Sequence, residues 1–131
     1  MIRKKIINSE RIRQINGGFS FIPHRFLTDG FLISLNQQEI LLYFFLILAS
    51  DRNGLSYYSY ESICKFLQLD IDEYLKARDG LLTKDLIAFD STNFQVLDLP
   101  PKPKSTTARR SQLEQRSSTV AHLIRESLKE A

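Results

Sequence analysis

Apolar positions fall along this chain in blocks whose spacing predicts helix, turn, short strand, helix, helix and a two-stranded ribbon between Ser34 and Leu99. The first block, Ile40 to Ala49, has no charged residue and reads as a helix buried on nearly every side. Asn36 is placed to cap it, with Glu39 three residues on in capping-box position, and it continues through Ser50. Asp51-Arg52-Asn53-Gly54 stops it, and Leu55 to Tyr58 reads as a short strand. Ser59 caps a second helix, Tyr60 to Leu67, expected to bury Ile63, Cys64, Phe66 and Leu67. Asp70 and Glu73 form another capping box for a third helix running to about Lys84. Ile71, Tyr74, Leu75, Leu81 and Leu82 share its apolar stripe, and Asp72, Glu73, Lys76, Gly80 and Thr83 the opposite face. Strands then flank the turn Ser91-Thr92-Asn93, and Pro100-Pro101-Lys102-Pro103 closes the unit.

The ends follow different rules. Residues 1–16 form an arm or a short helix, in which Ile2, Ile6, Ile7 and Ile15 are scattered among charges. Asn16-Gly17-Gly18 is a turn, because Asn and Gly tolerate positive φ. Phe19 to Phe26, interrupted by Pro23, reads as an extended segment packing Phe19, Phe21 and Phe26 onto the core. Beyond Lys104, Ser111 and Glu114 offer a capping box, and Leu113, Val120, Ile124 and Leu128 lie near one stripe. A helix over 111–130 would dock on a partner or on its own domain. Its alternative is a nascent helix, since isolated helices under about 15 residues are marginal. The division is thus a basic arm (1–16), a folded domain (17–99) and a basic tail (100–131).

Charge sharpens this picture. The net charge of +3 over 131 residues conceals segregation. Residues 1–16 hold five basic side chains against one acidic, and residues 100–131 hold seven against three. Residues 17–99 hold six against eleven. Basic arms on a compact body are a common nucleic-acid-binding layout, although terminal charges also serve simply to keep chain ends solvated. The longest apolar run is half the roughly 20 residues that span a bilayer, so no membrane role is expected. No apolar signal core follows the basic start, and Cys64 is the single cysteine. Both features fit a cytoplasmic protein.

The stretches Tyr60 to Leu67, Asp70 to Lys84 and Leu86-Ile87-Ala88-Phe89 resemble the winged helix-turn-helix superfamily, an α+β fold of about three core helices and a small β-wing. Leu81-Leu82-Thr83-Lys84-Asp85-Leu86-Ile87 is similar to that family's usual helix ending, with Asp85 in place of Gly. The wider stretch from Gly17-Gly18-Phe19-Ser20 through Leu55-Ser56-Tyr57-Tyr58 looks like small bacterial helix-turn-helix proteins of mobile elements, and like the N-terminal domains of primosomal replication proteins of the DnaD type. The resemblance implies a non-enzymatic binder of double-stranded DNA, acting in transcription regulation or replication initiation. It implies that the third helix faces the major groove and the wing the backbone. Carried onto this chain, Lys76, Thr83 and Lys84 become groove-side or phosphate-side contacts, and Lys65 adds a phosphate contact. Gly80 is expected to let a DNA backbone or partner approach. Arg3, Lys4 and Lys5 in front, and Lys102, Lys104, Arg109 and Arg110 behind, supply salt-sensitive affinity.

Acidity opposes that reading. Asp72, Glu73 and Asp79 stand on or beside the same outer face, and the wing tip Asp90-Ser91-Thr92-Asn93 has no cation. The alternative function is therefore a winged helix that binds proteins, its acidic face meeting a basic partner and residues 111–130 another. Among other candidates, Arg78 is expected to pack its stem while its head reaches water. Tyr57, Tyr58 and Tyr60 read as packing rather than as bases' stacking partners. Tyr43-Phe44-Phe45-Leu46 is expected to be buried under the Phe19–Phe26 segment, the alternative being a homodimer interface. His24, His122 and Cys64 show no metal-ligand spacing, and Gly17-Gly18 is no phosphate loop. No cofactor, metal or catalytic activity is expected.

Overall fold

The computed structural model describes residues 3–104. Helix α1 spans Arg25–Thr28, α2 Gln37–Ala49, α3 Tyr60–Leu67 and α4 Ile71–Thr83. Strands β1 (Leu55–Ser56), β2 (Ile87–Phe89) and β3 (Phe94–Val96) form one antiparallel sheet in the order β1-β3-β2. Single 3-10 turns occupy Ser9–Arg11 and Leu32–Ser34. The described chain is thus α+β, and the succession α2-β1-α3-α4-β2-β3 is compatible with a winged-helix layout. No helix among the described residues is long and apolar enough to cross a membrane.

Both expected capping boxes form. The Asn36 side chain accepts from Glu39 N at 2.9 Å while Glu39 Oε1 accepts from Asn36 N at 2.9 Å. Asp70 and Glu73 repeat the exchange at 2.7 and 3.0 Å. Each box satisfies two of the backbone donors that a helix start leaves without partners. Asp85 sits at φ 62, so it takes the left-handed turn at the end of α4 that Gly would take more cheaply. Gly54, at φ 83, closes the loop onto the sheet, where its carbonyl accepts from Val96 N at 2.8 Å. A Cβ there would run into the Val96 carbonyl.

The core packs α2 against α4 and both against the sheet. Leu42, Leu46, Ile63, Leu81, Leu86 and Phe94 are almost wholly buried. Tyr43 is buried as well, and burial pushes its phenol up to about 12, so it stays neutral across the physiological range.

Several expectations fail here. Residues 19–26 do not run extended throughout: Pro23 leads into α1, and only Phe26 enters the core. It stacks on Tyr43 at 5.1 Å, while Phe19 and Phe21 stay 68% and 75% exposed at the rim of an open cavity of about 640 Å³ that Tyr43, Ile47 and Leu48 of α2 also line. Phe66 is also exposed, because α3 turns Ile63 inward and leaves Phe66 at its edge. Tyr57 is exposed, since β1 ends at Ser56 and the chain leaves the sheet there, whereas Tyr58 and Tyr60, though half in water, pack on Phe45 at 5.3 Å and on Tyr74 at 6.5 Å.

Gly80 departs most from its expected place. It faces α2 rather than solvent, and a Cβ built on it would strike the Glu39 carboxylate. An exposed helical Gly→Ala change normally stabilises by about 1 kcal/mol. Gly80→Ala is instead expected to destabilise by about 1–3 kcal/mol, because the displaced carboxylate is buried and hydrogen-bonded. Urea unfolding of the two proteins gives the sign directly.

Candidate nucleic-acid interface

Helix α4 divides into three faces. Tyr74, Ala77 and Leu81 point into the core. Glu73 and Gly80 turn toward α2, where Gln38 Nε2 donates to Glu73 Oε2 at 3.5 Å. Asp72, Lys76, Asp79 and Thr83 remain exposed, at the three- and four-residue spacing that aligns side chains along one side of a helix. The outward stripe is thus two carboxylates, one ammonium and one hydroxyl. Glu73 and Gly80, expected on this stripe, belong to the α2 contact.

Lys84 is withdrawn from the surface on which the sequence placed it. Its Nζ donates to Glu39 Oε1 and to the Ser34 carbonyl, both at 2.7 Å. The side chains of this pair are only 18% and 4% exposed. Removing one member of such a pair strands a buried charge, which costs about 3–5 kcal/mol. The pair lies 45 residues apart in sequence, so no local pattern announces it.

The remaining cations are distributed as follows. Lys65 on α3 and Lys76 on α4 are exposed. Arg3, Lys4, Lys5, Arg11 and Arg13 stand on a segment exposed throughout residues 3–19. Lys102 is exposed, and Lys104 Nζ donates to Asp85 Oδ2 at 3.1 Å across a solvent-facing pair. Arg109, Arg110 and the expected helix over 111–130 lie outside the described residues.

Arg25 was not singled out from sequence, yet it ties down the domain's last residues. Its guanidinium donates to the carbonyls of Leu99 and Pro100 at 3.3 and 2.8 Å, and sits over the Phe31 ring at 5.3 Å. An arginine fork reaching backbone carbonyls so far along the chain leaves no local signal.

Between the β1–α3 connection, α4 and the β2–β3 ribbon runs an open groove of about 690 Å³, lined in part by Tyr57, Tyr60, Tyr74, Arg78 and Phe89. Arg78 lies over the Tyr74 and Phe89 rings at 5.9 and 5.3 Å and pairs with Asp79 at 3.1 Å. The guanidinium head itself thus packs against the groove wall, with the side chain 25% exposed.

At the ribbon's tip, Asp90 Oδ1 accepts from Asn93 N at 2.7 Å and Thr92 N at 2.9 Å. These two donors hold the Asp90 carboxyl below its ordinary range. The Cys64 thiol is pushed up, first by desolvation and then by the Asp70 carboxylate, which disfavours the reactive thiolate. Among the described residues no cluster of three or more His, Cys, Asp or Glu side chains is placed to hold a metal ion. Comparison with protein-family models, curated proteins and solved structures found no match to this chain.

Two outcomes follow. Lys84→Met is expected to lower unfolding stability by about 3–5 kcal/mol, whereas Lys76→Met stays within about 0.5 kcal/mol of the parent, both read from urea melts. The Asp90 carboxyl is expected to titrate below the ordinary aspartate value. A depressed folded-state value means that its turn is intact at neutral pH and loosens only as pH falls through that value, which carboxyl NMR shifts follow.

Proposed function

We propose that the chain is a winged-helix DNA-binding protein without catalytic activity, acting in transcription regulation or replication initiation. The observation that carries this reading is that α4, fixed on α2 by one face, leaves Asp72, Lys76, Asp79 and Thr83 in solvent beside an antiparallel ribbon. A helix held that way fits the width of a major groove. Thr83 and Lys76 are its donors toward base edges or phosphates. The withdrawal of Lys84 leaves that stripe with two negative charges against one positive, so affinity falls to the exposed basic arm at Arg3, Lys4, Lys5, Arg11 and Arg13.

The aspartates favour a second reading, in which the same stripe docks a basic protein and the fold reads no bases. The two readings separate in a mobility-shift salt series on duplex DNA. In the first, the logarithm of affinity falls linearly with the logarithm of salt. Arg3→Gln, Lys4→Gln and Lys5→Gln together then flatten that slope by about 2–3, at roughly 0.9 per phosphate contact. Absence of binding by the full chain at low salt leaves the protein-docking reading standing. Binding that is blind to sequence removes α4 from base readout.

A further inference from the structure

The outward face of α2 plays no part in the stripe on α4. From Ile40 to Ala49 this helix has no charged residue, and a helix apolar all round belongs in an interior. Yet Leu41, Phe44 and Leu48 are 43%, 40% and 77% exposed. With 3.6 residues per turn, these three and Phe45 share one side of the helix. Ring contacts widen that side in both directions. Phe44 meets Phe26 of α1 at 6.2 Å, and Phe45 meets Phe66 of α3 at 5.7 Å and Tyr58 at 5.3 Å.

The order of side chains on this face is its most telling property. Positions 41, 44, 45 and 48 read Leu-Phe-Phe-Leu, the same in either direction. A two-fold contact presents the same patch from both copies and must be complementary to itself. An axis between positions 44 and 45 sets Leu41 of one copy against Leu48 of the other, and Phe44 against Phe45. The face has no charge, so a two-fold contact here brings no like-charged side chains together, while a basic partner finds no carboxylate to select it.

The area fits as well. Large side chains bury roughly 150–250 Å² each, so Leu41, Phe44, Leu48, Tyr58 and Phe66 together leave on the order of 500 Å² in water. That lies near the top of the roughly 300–600 Å² found for the largest patch of a monomer. It supplies most of the apolar centre of a standard interface, about 800 Å² per partner.

We propose that this chain forms a two-fold dimer by antiparallel packing of α2 against α2 of a second copy, through Leu41, Phe44, Phe45 and Leu48. The proposal stands independently of any nucleic-acid role.

Sedimentation of the full chain over roughly 1–100 μM tests it. The parent is expected to dimerise. Leu48→Glu and Leu41→Lys each weaken the dimer by about 100-fold, with thermal melts checking that the fold persists. Combining both changes in one chain restores association, because the antiparallel register places each new ammonium opposite a new carboxylate of the other copy. A parent that stays monomeric throughout overturns the proposal, and is the result expected if residues 105–131 or an unrelated protein cover the face. Dimers that survive either single substitution overturn the surface. Loss in the single variants without rescue in the double variant overturns the register.

Discussion

One carboxylate connects the parts of this molecule that matter for its surface. Glu39 closes the capping box at the start of α2, accepts the ammonium of Lys84 at the end of α4 and lies against the bare backbone of Gly80. Its oxygen is thereby hydrogen-bonded although the residue is buried, which is the condition under which a buried charge is tolerated. The pair is not a large net source of stability, because desolvation offsets most of the Coulombic attraction. Its effect is geometric. A carboxylate held from two helices, with only a glycine hydrogen to spare, fixes the distance and rotation of α4 on α2.

That rotation decides what α4 shows to solvent. With Gly80 and Glu73 turned to α2, and Tyr74, Ala77 and Leu81 inward, the stripe left over is Asp72, Lys76, Asp79 and Thr83. The same pair removes the ammonium of Lys84 from that surface. Fold and surface charge are coupled here: the contact that orients the helix also makes its outer side more acidic. Positive charge near the domain is then concentrated on the exposed N-terminal arm, away from the compact body.

A second constraint is the ratio of apolar residues to interior. A unit running from Phe26 to Leu99 has room for one core, and it is filled by residues such as Phe26, Leu42, Leu46 and Phe94. Phe19, Phe21, Phe44 and Phe66 stay partly or largely in water. On α2 the surplus is organised rather than scattered, since Leu41, Phe44, Phe45 and Leu48 line up along one side. Organised apolar surface favours association with another surface of the same shape more than it favours solubility.

Local chemistry was legible in the sequence alone. Asn36 with Glu39, Ser59, Asp70 with Glu73, and Gly54 set the helix starts and the loop because a cap or a positive φ depends on residues within one turn of each other. Hydrophobic spacing likewise gave α2, α3, α4 and the ribbon. Tertiary structure alone decided which polar residues reach water. Glu73, Gly80 and Lys84 stand about a quarter turn round the helix from Lys76 and Thr83; spacing yields that difference in phase, and only the packing of α4 on α2 decides that their side is the covered one. The turn into α1 at Pro23 decided in the same way that Phe26 is core while Phe19 and Phe21 are not. Such outcomes depend on atoms brought together from distant positions, and the spacing of residues along a chain does not encode the order in which they compete for one site.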